Sequence, residues 1–169
     1  MSQPAAVVRH SQMKIEFYLH QIWLALICIL MVASLVLPTA QFVNAEGASA
    51  LLTNFRISFI EGDSRAALWG LGVILILTLC VGVFELLLSG FRNFVLQKRL
   101  LVFMMLMTAG YYIVYTIYVL VLKGDAQFVP KPGLAFPMVC LVLEFMSLQG
   151  VARAEASIIA RASGFRLRD

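Results

Sequence analysis

Two carboxylates stand in stretches where polar side chains are otherwise rare: Glu85 in "CVGVFELLL" and Glu144 in "LVLEFMSLQ". A charge at the middle of a bilayer costs at least about 2.5–3.5 kcal/mol, and less toward the edge. Two chemistries would justify such residues. If the pair shares a proton, repulsion between like charges holds one carboxyl neutral and the site can pass protons. If instead each carboxylate reaches a cation near the membrane surface, the residues are tethers, with Lys14, Lys98, Arg99 and Arg153 at about the right height. A proton path also needs polar groups continuing across the membrane, and the sequence offers few, so the tether is the expected arrangement. A third constellation is Thr108, Tyr111, Tyr115 and Tyr118, which follow three- and four-residue spacing and so share a helix face, with Tyr112 beside them. Such a face can line a quinone or lipid-headgroup pocket. It can also bond neighbouring helices and join an interfacial aromatic belt, which is the expected role. These hydroxyls are expected from mid-membrane outward, away from the level of the two glutamates.

The elements that must position these residues are membrane spans. The 169 residues are 62% hydrophobic and 13% charged, against about 25% charged in ordinary soluble domains. The mean hydropathy is +0.92. A spanning helix needs about 20 mostly apolar residues, and the sequence holds such runs at 18–37, 66–88, 100–122 and, shorter, 134–150. The expected fold is an all-α integral membrane protein, a single four-helix transmembrane bundle. Glu85 and Glu144 then lie roughly 5–7 Å inside the ends of their spans. The first run has a basic lead and a small-residue "VNA" at Val43–Ala45, as a cleaved signal does, but its apolar stretch is long for one. It is read as a retained helix.

Nine of the thirteen lysines and arginines fall in the amino-terminal tail, the second-to-third connection and the carboxy-terminal tail 151–169. The other two connections carry four, balanced by Glu46, Glu61, Asp63 and Asp125. Positive charge collects on the cytoplasmic side, so both termini are expected there, with the connection 39–65 outside. In that connection "LLTNFRISFIEGDS" alternates partly and ends on turn residues, the pattern of a short strand or hairpin lying on the helix ends.

Several classes are disfavoured. Cys28, Cys80 and Cys140 sit singly in apolar runs, without a C-x-x-C pair, which argues for reduced, buried thiols and against a thiol oxidase. His10 and His20 lie near one surface and do not face each other as haem ligands would. No metal spacing, nucleophile elbow or phosphate loop is present; neither a cofactor nor enzymatic activity is expected. A charge of +4 without interleaved aromatics does not suggest nucleic acid. Gly70, Gly72, Gly82 and Ala109–Gly110 permit close helix contact, inside a bundle or between copies.

The most patterned segments are basic: "RNFVLQKRL" at 92–100 and the tail "GVARAEASIIARASGFRLRD" from Gly150, in which Val151, Ile158 and Ile159 recur at helical spacing. Together with the lead "MKIEFYLHQIWLALI" from Met13, these segments resemble the bacterial domain-of-unknown-function family 4293, over essentially the whole chain. That resemblance implies a small four-span inner-membrane protein, chiefly from Bacteroidetes, and implies no activity. The lead departs from the family's "IQRIQ"-like pattern, and Phe165 stands where an acidic residue is common. Arg92, Gln97, Lys98, Arg99, Arg153, Arg161, Arg166 and Arg168 are the candidates for docking a partner or anionic lipid at the cytoplasmic face. Two function classes remain. One is an accessory or scaffold subunit of a larger membrane complex or a homo-oligomer. The other is a small proton-coupled transport protein using Glu85 and Glu144.

Overall fold

The computed structural model describes residues 4–44, 49–59, 64–65, 69–89, 93–124 and 126–166, with side chains described for 19–44, 49–58, 69–89, 93–122, 124 and 126–160. Four helices make up the body: α1 (Pro4–Val36), α2 (Trp69–Leu88), α3 (Phe94–Lys123) and α4 (Ala135–Arg166). Each contains a stretch long and apolar enough to cross a membrane. α1 packs on α2 and α4, and α3 on α2 and α4, so the helices form an up-and-down ring.

One spacing rule explains the ring. Buried positions recur every three and four residues on all four helices: His20, Leu24, Ile27, Met31 and Ser34 on α1; Leu71, Leu75, Thr78, Gly82 and Glu85 on α2; Gln97, Leu101, Met104, Thr108, Tyr111 and Tyr115 on α3; Cys140, Glu144, Ser147 and Val151 on α4. A mean spacing of 3.5 residues keeps one seam turned to the partner helices when they wind with a left-handed twist. Large apolar residues such as Ile22, Ile29, Leu106, Ile113 and Leu120 lie on the outer surface. In water such a surface is a liability, and in lipid it is the required one.

Three helices are longer than expected, α3 by starting at Phe94 instead of residue 100 and two others by more. α1 begins at Pro4, well before the apolar run at residue 18, and α4 continues unbroken to Arg166 where a span 134–150 and a separate tail were expected. At 1.5 Å per residue each is about 50 Å long against a hydrocarbon core of about 30 Å, so both project beyond the bilayer at the end that carries the termini. α1 ends where Pro38 disfavours helical geometry for Leu37.

At the opposite end the chain is not all helical. β1 (Ala40–Val43), β2 (Ser49–Leu52), β3 (Ile57–Phe59), β4 (Ser64–Arg65) and β5 (Gln127–Pro130) form one antiparallel sheet in the order β4-β3-β2-β1-β5. Its inward face, Ala40, Phe42, Ala50, Leu52 and Ile57, joins the same apolar core as Met31, Leu71, Leu75 and Tyr111. The hairpin expected in 39–65 is therefore a larger sheet. Its fifth strand comes from the third-to-fourth connection and ends on Pro130. β5 is an edge strand, where a proline costs little pairing.

A short 3-10 turn, Pro132–Leu134, leads from β5 into α4 and packs backbone against backbone at this end. A side chain at Gly133 would meet the carbonyl oxygens of Pro38 at 2.5 Å and Leu37 at 2.9 Å, both backbone atoms. Gly133 also donates its N–H to Pro38 O (3.2 Å), and Ser34 Oγ donates to Gly133 O (3.1 Å). Gly133→Ala is expected to cost about 1–3 kcal/mol, the range for overpacking, read as a lower unfolding temperature in detergent. Gly150→Ala, at a site open on all sides, should show no such loss. Equal behaviour of the two would contradict this account of the sheet–bundle joint.

Candidate functional site

The inward seams of the four helices carry polar residues at two levels, and the levels differ in how well those residues are satisfied. At the sheet end Asn54 is the hub. Its Nδ2 donates to Ser34 O of α1 (2.6 Å) and its Oδ1 accepts from Tyr111 Oη of α3 (2.8 Å). Its carbonyl accepts from the N–H of Gly72 on α2 (3.0 Å). Tyr112 Oη donates to Leu134 O (2.8 Å) and Tyr115 Oη to Thr39 O (3.4 Å). The rings of Tyr111 and Tyr115 stack with centroids 6.1 Å apart. The tyrosines thus fasten the sheet to the bundle. Tyr118 lies near Gly70, where its hydroxyl would be 3.1 Å from an added side chain.

Toward the end that carries the termini, His20, Glu85, Glu144, Ser147 and Thr108 come from all four helices and are all buried, both glutamates at 0% exposure. His20 Nδ1 shares a hydrogen bond with Ser147 Oγ (2.5 Å). His20 Nε2 stands 3.7 Å from Glu85 Oε1, close enough for charges to interact and too far for a hydrogen bond. Glu85 also lies within electrostatic reach of Glu144. Thr108 Oγ1 lies 3.1 Å from Glu144 Oε1 and 3.0 Å from Met104 O. On α4, Glu144 and Ser147 interrupt the apolar packing, separating Leu143 of the main cluster from Val151 of a smaller one with Leu24 and Leu101.

The Thr108 geometry permits both charge states of Glu144. Its hydroxyl has one proton. With Glu144 ionised, Thr108 donates to the carboxylate. With Glu144 neutral, the carboxyl donates to Thr108, which in turn donates to Met104 O. No backbone movement is needed for the exchange. His20 offers a comparable choice, since an imidazole presents a donor at one nitrogen and an acceptor at the other according to tautomer.

Four atoms of these ionisable groups have no hydrogen-bond partner: His20 Nε2, Glu85 Oε1 and Oε2, and Glu144 Oε2. Among the described residues no lysine or arginine is within ion-pair distance of either glutamate; the ion-pair contacts there are His20–Glu85 and Lys98–Glu155. The expected cationic tether is therefore replaced by Thr108 for Glu144 and by the neighbourhood of His20 for Glu85. Lys98, expected to be available, pairs with Glu155. Arg99 and Arg153 are exposed, and the side chain of Lys14 lies outside the described residues. Thr108 also leaves the tyrosine level to which it was assigned and joins the glutamates.

The expected docking residues do not make one surface. Gln97 is buried, 1% exposed, with its Nε2 unpartnered, so it faces the core and not a partner. Arg99 lines a shallow cleft with Asn93, Phe94 and Glu155, while Arg153 lines a different one with His20. Arg92 and Arg168 lie outside the described residues, as do the side chains of Arg161 and Arg166. Of the cysteines, Cys140 is buried, Cys28 half-buried, and Cys80 exposed on the outer face of α2, toward lipid instead of the expected interior. Among the described residues no group of three histidine, cysteine or acidic side chains is arranged to hold a metal.

A family model described as "Domain of unknown function (DUF4293)" matches residues 20–160. The chain belongs to that family. The matched segment begins at His20 and contains the four spanning stretches except Leu19, the sheet and every member of the buried polar set. No curated protein is similar enough to the chain to be matched to it.

His20, Ser147 and Asn54 are the members that sequence reasoning passed over. The haem-ligand test excludes one role for His20 and says nothing of its place in the bundle. Its spacing to Leu24 and Ile27 was the available signal, as was that of Ser147 one turn after Glu144. The Thr108–Glu144 contact is testable by a double-mutant cycle of Thr108→Val and Glu144→Leu, read by denaturant unfolding in mixed micelles. The expected coupling is about 0.6 kcal/mol, typical of interhelical hydrogen bonds in membranes. Strictly additive effects would mean that the two side chains do not meet.

Proposed function

We propose that this chain is a small proton-coupled transport protein of the bacterial inner membrane, with both termini cytoplasmic and protons held by His20, Glu85 and Glu144. One observation carries the reading: His20 Nε2, both carboxylate oxygens of Glu85 and Glu144 Oε2 are buried without hydrogen-bond partners, and no lysine or arginine among the described residues lies within ion-pair distance of the carboxylates. Buried polar groups in membrane interiors are normally satisfied, and ionisable ones that are not are functional candidates by default. A purely structural carboxylate would be expected to find a cation or several donors, as Asn54 finds its three partners.

The arrangement suits proton handling in detail. The cleft between α1 and α4 reaches His20 and Ser147 from the end that carries the termini. From there Ser147 is bonded to His20, His20 stands 3.7 Å from Glu85, and Glu144, within electrostatic reach of Glu85 but not bonded to it, is bonded to Thr108. Thr108 stands one turn from Tyr111, a rise of about 4.5 Å, and Tyr111 leads to Asn54 at the sheet end. The polar residues that seemed too sparse in the sequence thus line one file. Only part of the file is hydrogen-bonded, so transfer across the 3.7 Å His20–Glu85 gap requires side-chain movement or an intervening water. The accessory-subunit reading is weaker, because Gln97 and Lys98, two of its docking residues, are used inside the chain.

The test is proton flux into vesicles containing the purified protein, driven by an imposed membrane potential and read by a trapped pH dye. Flux above that of empty vesicles is expected, falling to their level in Glu85→Gln and Glu144→Gln. Flux that survives both substitutions would remove these residues from the path. The orientation rests on the excess of lysine and arginine in the tails and the second-to-third connection. It predicts that a phosphatase fused after Asp169, active only outside the cytoplasm, stays inactive, whereas one inserted after Asn44 is active. The reverse pattern would invert the topology.

A further inference from the structure

The cleft between α1 and α4 has walls, a floor and a mouth of different chemistry. Leu19 and Trp23, one turn apart on α1, form one wall; Met146 and Gly150 on α4 form the other. The floor is the buried pair His20 and Ser147. Gln149 and Arg153, also one turn apart, stand at the mouth. The cleft has a volume of about 280 Å³, kept open in part by Gly150, around which an added side chain would meet nothing within 4 Å. Arg153 is exposed and makes no ion pair among the described residues, since nearby Glu155 is held by Lys98. It sits where α4 passes from its apolar stretch into its charged extension, the level of lipid headgroups.

We propose that this cleft binds the headgroup of an anionic phospholipid. The guanidinium fork of Arg153 matches phosphate oxygens, and Gln149 supplies a further amide donor beside it. Trp23 is of the type that settles at the headgroup level. Leu19 and Met146, both large and exposed, cover the upper acyl chains. A free phosphate ion would use the arginine but gain nothing from those apolar walls, and a zwitterionic lipid would use the walls but bring a cation of its own that competes with the arginine for its phosphate. The proposal does not rest on proton transport: His20 and Ser147 form the cleft floor, but the groups that would hold the lipid, Arg153, Gln149, Trp23, Leu19 and Met146, are not among those proposed to hold protons.

The chain has two tryptophans, Trp23 and Trp69, and Trp69 lies at the sheet end of α2. The full-length Trp69→Phe protein therefore carries a single reporter in the cleft. Reconstituted in phosphatidylcholine nanodiscs, it is given the same small fraction of either phosphatidylglycerol or phosphatidylcholine with brominated chains. Trp23 quenching should reveal an enrichment of the anionic lipid of about fivefold, the preference that one cation near the surface supplies. Arg153→Gln should abolish it, and Gly150→Leu should abolish it by filling the cleft. Unchanged circular dichroism shows that each variant is folded. Equal quenching by the two lipids, or an enrichment that survives Arg153→Gln, would overturn the proposal. So would loss of the enrichment in inorganic phosphate but not in chloride at equal ionic strength, since the site would then belong to the free ion.

Discussion

Inside a bilayer no bulk water stands ready to receive an unmade hydrogen bond, and that scarcity governs this structure from one end to the other. It requires the backbone to close its own hydrogen bonds, so the spanning segments are helices. It relegates the sheet, with its open edges, to the end of the bundle. It also makes the helix seams the available place for polar side chains, since the outward faces meet lipid. The 3.5-residue spacing of buried positions sets where those seams run, and thereby which polar residues from different helices come together. Glu85 and Glu144 point inward because they occupy seam positions; His20, Ser147 and Thr108 meet them for the same reason.

The two polar levels answer that constraint in opposite ways. At the sheet end Asn54 engages α1, α2 and α3 through separate donors and acceptors. A network satisfied in this way resists rearrangement, because each broken bond leaves a buried group exposed to its desolvation cost. At the other level ionisable atoms remain unpartnered, and alternative proton positions are available at Thr108 and His20 without breaking a helix. A rigid plug at one end and a protonically adaptable cluster nearer the other are what a bundle needs if it is to change charge state without unfolding. The division also explains why Thr108 and Tyr111, adjacent on the same α3 seam, serve different ends.

Much of the architecture was legible in the sequence. The four apolar runs identify the spans, because length and hydropathy are properties of single segments. The tyrosine periodicity identifies one face of α3 for the same reason. What could not be read were properties of pairs. Glu144 meets Thr108 across 36 residues, and their depths were misjudged because the true length of α3 and the stagger between helices were unknown. Charged neighbours around Gln97 suggest a surface residue, yet its place four residues before Leu101 puts it on the seam. β5 escaped notice because four residues ending in proline acquire a strand's identity only from the β1 edge beside them.

The position of His20 ties the buried polar cluster to the cleft. Its ring is the boundary between them: one nitrogen bonds Ser147 at the cleft floor, and the other turns toward Glu85. Any proton that reaches Glu85 from the end carrying the termini by this route must therefore pass a ring held at one nitrogen and unpartnered at the other. A headgroup seated over Ser147 would limit the water able to reach that ring, while its phosphate would compensate Arg153, the cation nearest the mouth. Access and electrostatics at the cluster would then be set together by one occupant. Lipid composition would act on the buried carboxylates without touching them, through a histidine fixed between α1 and α4 by the spacing that built the bundle.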